Sequence, residues 1–213
     1  LKAAFPHLGM CILGDGLYAC APLMELCEKY GWDYIFTFKE GRTPRAYADA
    51  RGLMEQNPSN SGRLVRHDSR GRRVVCGMVA WATGVEITRG ADQWHVFNVV
   101  KVAEDDSNGS PYSGQFATSL EVRDEKEADS IGKWGRRRWD IESSFHVEKN
   151  GGYGLEHNFC NKARTSRNIY LLMQIAHNLW QLFNSGCLLP MQKKGKYRNM
   201  TQVKWAELIR YTI

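Results

Sequence analysis

The stretch Met10-Cys11-Ile12-Leu13-Gly14-Asp15-Gly16, read together with Tyr34-Ile35-Phe36-Thr37-Phe38, decides the fold. Met10 to Leu13 is a short apolar run stopped by Gly14, the pattern of a buried strand. Asp15 follows at its carboxyl end, where a side chain can project into a site, and Gly16 permits a turn. Leu23, Leu26, Cys27 and Tyr30 then recur at helical spacing, with Pro22 in the first turn and Gly31 as the stop. Tyr34 to Phe38 is aromatic and β-branched and predicts a second strand. Strand, helix, strand in that order implies a right-handed crossover and a parallel pair.

Outward from this unit, Pro44 opens a short helix ending near Leu53, and Gln56 to Gly62 is a polar loop. Leu64-Val65, Arg73 to Thr83, Val85 to Thr88 and Trp94 to Val102 read as strands separated by Gly and Asp turns. Glu104 to Ser113 reads as a polar loop and Gln115 to Val122 as a further strand. Helices are expected over Ser130 to Lys149, Ser166 to Phe183 and Gln202 to Tyr211. The expected organisation is an α/β core over 1–54, a β-rich insertion over 55–113, and a resumed core over 114–213.

The composition, 43% hydrophobic and 24% charged over 213 residues, is that of an ordinary globular protein rather than a disordered one. A formal net charge of +6 favours a polyanionic partner. The six cysteines form no C-x-x-C pair, which argues against a zinc knuckle, and their apolar surroundings suggest buried thiols in a reducing cytosol. No run approaches the roughly 18 apolar residues of a membrane span, and no signal peptide is visible.

Two acids stand out. On a helix over 130–149, Arg138, Glu142, Phe145 and Lys149 share one stripe, beside an apolar strip of Trp134, Ile141 and Phe145. Glu142 thus borders the buried face, where a carboxylate is either paired, with Arg138 one turn before it, or bound to a metal. Asp140 falls on the opposite side and reads as solvated. Asp15 has a plain alternative too, because Asp before Gly after a strand is often only a turn residue. Among the histidines, His157 and His177 read as hydrogen-bonded structural residues rather than ligands, and Trp134, Trp139, Trp180 and Trp205 as core or interface residues.

The spacing of Arg138, Glu142 and Lys149 resembles the last catalytic motif of the DDE transposases of bacterial insertion sequences, in the insertion-sequence-four group. That motif reads Tyr-x-x-Arg-x-x-x-Glu-x-x-x-x-x-x-Lys, and here its tyrosine position holds Gly135. The words Leu13-Gly14-Asp15-Gly16-Leu17-Tyr18, Lys29-Tyr30-Gly31-Trp32, Lys39-Glu40-Gly41, Asn150 to His157 and Gln174-Ile175-Ala176-His177 are similar to the same group. The resemblance covers nearly the whole chain and is weakest over 55–113.

It implies a ribonuclease-H-like core, incomplete at its amino-terminal end, with a β-rich insertion before the last catalytic helix. Asp15 becomes the second of three catalytic acids and Glu142 the third, both ligating Mg²⁺, with Mn²⁺ able to substitute. No segment before Asp15 offers the first acid, so the chain is expected to be the carboxyl-terminal part of a catalytic domain, inactive alone. The activity implied is metal-dependent DNA strand cleavage and joining in transposition. The alternative is a catalytically inactive, DNA-binding or domesticated relative. Arg138 and Lys149 would contact DNA phosphate. Arg63, Arg66, Arg72 and Arg73, around a predicted hairpin at Asp68-Ser69-Arg70-Gly71, form a candidate DNA-binding patch with a solvated hairpin as the bland reading. Lys193, Lys194, Lys196 and Arg198 form a second basic segment. The partners implied are transposon-end DNA and further copies of the chain, with no membrane, in the bacterial cytoplasm near the nucleoid.

Overall fold

The computed structural model describes residues 2–3, 6–41, 43–67, 73–88, 94–106, 111–150 and 161–188, with Lys204 and Glu207. The chain divides into two compact units, Leu1–Trp139 and Asp140–Ile213.

The first unit is a mixed sheet covered on both faces. Strand β1 (Cys11–Gly14) leads into helix α1 (Ala21–Lys29) and strand β2 (Asp33–Thr37), and β1 and β2 pair in parallel with Gly14 beside Phe36. The expected strand–helix–strand unit is therefore present. The turn into β2 uses Gly31 at φ 65°, a left-handed conformation that glycine adopts without steric cost. Helix α2 (Pro44–Gln56) follows, then β3 (Ser61–His67), β4 (Arg73–Thr88), β5 (Trp94–Asp106) and β6 (Pro111–Thr118). The order across the sheet is β1-β2-β6-β5-β4-β3, and every pairing except β1–β2 is antiparallel.

Two expectations change here. Glu104 to Ser113 is not a loop throughout, because β5 runs on to Asp106 and β6 begins at Pro111. Residues 73–83 and 85–88 belong to one strand carrying a bulge, where Gly84 takes φ 73° and its N–H donates to Asn98 Oδ1 at 3.2 Å. The strands read as an insertion, β3 to β5, continue the same sheet that holds β1 and β2.

Strand alternation splits the core between the two faces. Tyr34, Phe36, Phe38, Phe97 and Val99 face α1 and α2 and pack on Met24, Cys27, Ala46 and Ala50. Ile35, Val79, Val100, Val102 and Phe116 face the other way, onto Ala128 and Ile131 of helix α3 (Glu125–Arg136). Helix α3 is started by Asp124, whose Oδ1 accepts from the N–H groups of Lys126 and Glu127 at 2.9 and 2.8 Å. Its buried stripe is small: Ala128, Gly132 and Gly135 recur at four and three residues. A Cβ built on Gly132 would lie 2.5 Å from Val102 Cγ2, and one on Gly135 would lie 2.5 Å from the ring of Phe116. The helix backbone thus rests directly on the sheet.

The single helix expected over 130–149 is two helices. Helix α3 ends at Arg136, and α4 runs Trp139–Asn150. Between them Arg137 and Arg138 bond back to Trp134 O and Gly135 O, the tightened three-residue pattern that closes a helix. Gly132 and Gly135, within the last turns, lower the helix preference of the segment where α3 stops.

In the second unit, α5 (Ala163–Phe183) meets α4 through Gln174, whose Nε2 donates at 2.7 Å to Oε1 of Glu148, the buried residue of α4. Of the expected helix over 202–211, only Lys204 and Glu207 are described, and both are helical.

The cysteines are less uniformly interior than expected. Cys27 is buried, Cys20 and Cys76 are half-buried and Cys11 is exposed, all as free thiols. Trp134 and Trp139 are largely exposed rather than core.

Candidate functional site

Asp15 sits one residue past the last β1–β2 pair, at the carboxyl end of the parallel strands. Its Oδ1 accepts from the Leu17 N–H at 2.8 Å, and its carbonyl accepts from the Tyr18 N–H at 3.0 Å. The turn reading of this residue is therefore realised, with one carboxylate oxygen committed to the backbone. The same turn fixes the carboxyl group, half-exposed, above the end of the sheet. Gly14 has no room for a side chain: its Cβ would come within 2.8 Å of the Phe36 ring and 2.9 Å of the Tyr18 ring.

The register places a second group of polar residues at the same end of the sheet. Asp15 is level with Thr37, and Thr37 pairs with Phe116 of β6. Four residues before Phe116, and beyond the ends of β1 and β2, Tyr112 stands opposite Glu104 of β5. Both lie on the face that α3 covers, because Tyr112, Gly114 and Phe116 alternate to one side. Arg136 bridges them. Its Nη1 donates to Glu104 Oε2 at 2.5 Å, and its guanidinium carbon stands 4.1 Å from the centroid of the Tyr112 ring. The Glu104 side chain is only 3% exposed against 41% for Arg136, so the carboxylate is the desolvated member of the pair, and losing the arginine beside it would be costly. Two residues on, the guanidinium of Arg138 lies 4.7 Å over the ring of Trp139.

Burial pushes the Tyr112 phenol up, and the Arg136 charge, Glu104 and the Arg138 charge act on it in turn, the arginines pulling it back. The net result is a raised pKa, so Tyr112 remains a hydroxyl donor at neutral pH. None of Tyr112, Glu104 or Arg136 was singled out from sequence, since Glu104 to Ser113 read as loop. The signal was the alternation Val100, Val102, Glu104, which carries one apolar face on into a carboxylate.

Glu142 and Lys149 belong to the second unit, where both are exposed on α4. Glu142 does not border a buried face as the single-helix reading implied; Ile141 and Phe145 beside it are exposed as well. Arg138 precedes α4 rather than lying on it. Arg63 is exposed on β3, paired with Met78. Arg66 and Arg73 occupy β3 and β4, and their side chains lie outside the described residues, as do Arg72 and the whole predicted hairpin tip. His157 and the basic segment from Lys193 to Arg198 also lie outside them. His177 lies on α5 one turn beyond Gln174, and Gln181 Nε2 lies 3.3 Å from its Nε2.

Oxygen donors suit a hard divalent cation, and the second oxygen of Asp15 is of that kind. Among the described residues, no group of three or more His, Cys, Asp or Glu side chains is close enough to hold a metal.

The family model of the transposase DDE domain matches residues 1–179, which include Asp15, Arg138, Glu142 and Lys149. The chain belongs to the transposase DDE domain family. No curated protein matches it. Membership makes this a transposase domain, of the class concerned with DNA transposition and recombination, in a family that generally works with divalent metal ions. Its six-stranded mixed sheet with helices on both faces is compatible with that family's architecture. No helix among the described residues is long and apolar enough to cross a membrane.

Proposed function

We propose that this transposase domain performs metal-dependent phosphoryl transfer on DNA, cutting and joining strands at transposon ends, on a ribonuclease-H-like core in which β3 to β5 are an insertion. Asp15 and Glu142 are the proposed carboxylate ligands of Mg²⁺, with Mn²⁺ as a substitute. The observation that carries the reading is the position of Asp15. A backbone-anchored carboxylate ends the first parallel strand, at the end of the sheet where Arg136 and Arg138 also lie. A bound divalent pair supplies activation of the attacking oxygen and stabilisation of the leaving one. The side chains of the domain do the rest. The Leu17 N–H orients Asp15, so that its free oxygen rather than the bonded one is presented. Arg138 and Lys149 hold phosphate oxygens, the first through two parallel hydrogen bonds and the second as a point charge. Arg63, with Arg66, Arg72 and Arg73, is proposed to follow the DNA backbone farther from the cut.

A nicking assay on supercoiled DNA with Mg²⁺ or Mn²⁺ tests the assignment. Asp15→Asn and Glu142→Gln are expected to remove whatever cleavage the chain supports. Asparagine still offers an oxygen to Leu17 N–H, so the turn and the melting temperature should be kept. Robust cleavage that survives both substitutions refutes the reading. The second reading, an inactive DNA-binding relative, draws on Gly135 at the motif's tyrosine position; it predicts DNA binding with no metal-dependent cleavage.

A further inference from the structure

Helix α5 has two unlike sides. Ile169, Met173, Gln174, His177 and Trp180 recur at three- and four-residue steps and are half-buried, and Gln174 among them bonds to Glu148 of α4. Turned away from these, Leu172, Ile175, Leu179 and Leu182 recur at three, four and three residues and are 65%, 55%, 62% and 71% exposed. Leu171 and Phe183 flank the stripe and are exposed as well. Alternating steps of three and four residues are the seam spacing of paired helices, in which each apolar side chain seats in a gap of the facing helix. So many large apolar groups left in water along one line mark a surface that associates.

The charges of α5 decide which way a facing helix runs. Arg164 and Arg167 lie in its first two turns, while its first turn holds no acid and its last turn no base. The arginines therefore stand at the end where the aligned peptide dipoles are already positive. A parallel copy would gather the arginines of both chains at that one end. An antiparallel copy sets each arginine-bearing start beside a carbonyl end that carries no basic group and continues as Asn184–Leu188. The spacing agrees. With the two helices reversed about position 177, Leu172 meets the partner's Leu182 and Ile175 meets the partner's Leu179, each contact occurring twice by symmetry. We propose that α5 is a self-association face, on which a second copy of the chain packs antiparallel through Leu172, Ile175, Leu179 and Leu182. The inference stands on this helix alone and does not rest on the DNA reading. Leu172 to Leu182 spans about 15 Å, so the contact is small and the dimer weak, with a micromolar dissociation constant.

The test is analytical ultracentrifugation of the chain over a concentration series, without DNA or divalent metal. A reversible monomer–dimer equilibrium is expected. Leu172→Gln combined with Leu179→Gln should raise the dissociation constant at least about tenfold. Helicity and melting temperature should be unchanged at concentrations where the unaltered chain is monomeric, because both side chains are exposed there. Direction is read by cross-linking. Leu172→Cys and Leu182→Cys, oxidised as an equal mixture, should give more disulfide-linked dimer than either variant alone, each measured against the unaltered chain. A chain that stays monomeric at every concentration overturns the proposal, and so does a dimer indifferent to the double substitution. Cross-linking of each cysteine variant to itself, with no gain in the mixture, shows parallel pairing and overturns the arrangement. If the double substitution lowers the helicity and melting temperature of the monomer, the stripe packs within its own chain and the proposal fails.

Discussion

Single residues set the limits of this domain. Gly135 is the clearest case. Its departure from the family motif has a steric cause, since the Phe116 ring occupies the volume a larger residue would need. Restoring the motif with Gly135→Tyr is therefore expected to destabilise the fold by at least about 1–3 kcal/mol, the range for overpacking a filled core, measurable by thermal or denaturant unfolding. Tyr34 offers a pH prediction. It is buried, its hydroxyl lies 3.1 Å from His95 Nε2, and burial, then Glu28, then Cys27 push its phenol well above its ordinary value. A raised pKa in the folded state means that the neutral form is favoured there. The associated stability is present in full below the unfolded value, about 10, and is lost as pH rises beyond it toward the folded value. Spectroscopic titration should show one tyrosine that ionises only together with alkaline unfolding. Tyr34→Phe should remove that coupled phase. Although Cys11 is exposed as a residue, desolvation of its thiol, then Asp33 and Cys27, raise it to about 11, so it should remain a thiol and alkylate slowly at pH 8 to 9.

At the scale of elements, the parallel pair and its crossover were legible because a strand ending in Gly-Asp-Gly, a Pro-led helix and an aromatic strand each carry an independent signal. The antiparallel strands were legible where alternation was strict. Their far ends were not, since Glu104 and Tyr112 look like loop residues until Arg136 is seen between them. The break between α3 and α4 was also hidden. The charge spacing of Arg138, Glu142 and Lys149 suits a continuous helix, whereas the reason for two weak helix formers just before the break, the close packing of Gly132 and Gly135 on the sheet, is a tertiary fact. In the candidate site, the turn position of Asp15 at the strand end was legible through the words around it, whereas the cluster of Tyr112, Arg136 and Glu104 was not, because no helical or motif spacing links the three. Helix α3 makes its own prediction. Asp124 satisfies two N–H groups at its start, so Asp124→Ala should cost about 1 kcal/mol of stability, whereas Asp124→Ser should cost far less.

For the molecule as a whole, a net charge of +6 sets how it meets DNA. Affinity should fall linearly on a logarithmic salt scale, and Arg63→Ala should reduce that slope by about one if Arg63 neutralises a phosphate, a change read directly from binding isotherms. The sheet order carries a different consequence. Strand β2 finds its antiparallel partner not in β3 but in β6, so that Ile35 lies beside Thr118 with the whole β3–β5 meander spooled between them. Adjacent hairpins can zip locally, each closing a short loop, but the seam joining the two ends of this unit must wait for a long-range encounter whose entropy cost is large. Assembly should accordingly be slow, with the platform beneath Asp15 among the last parts to become rigid, so that folding speed and the readiness of the cutting edge are governed by one and the same closure.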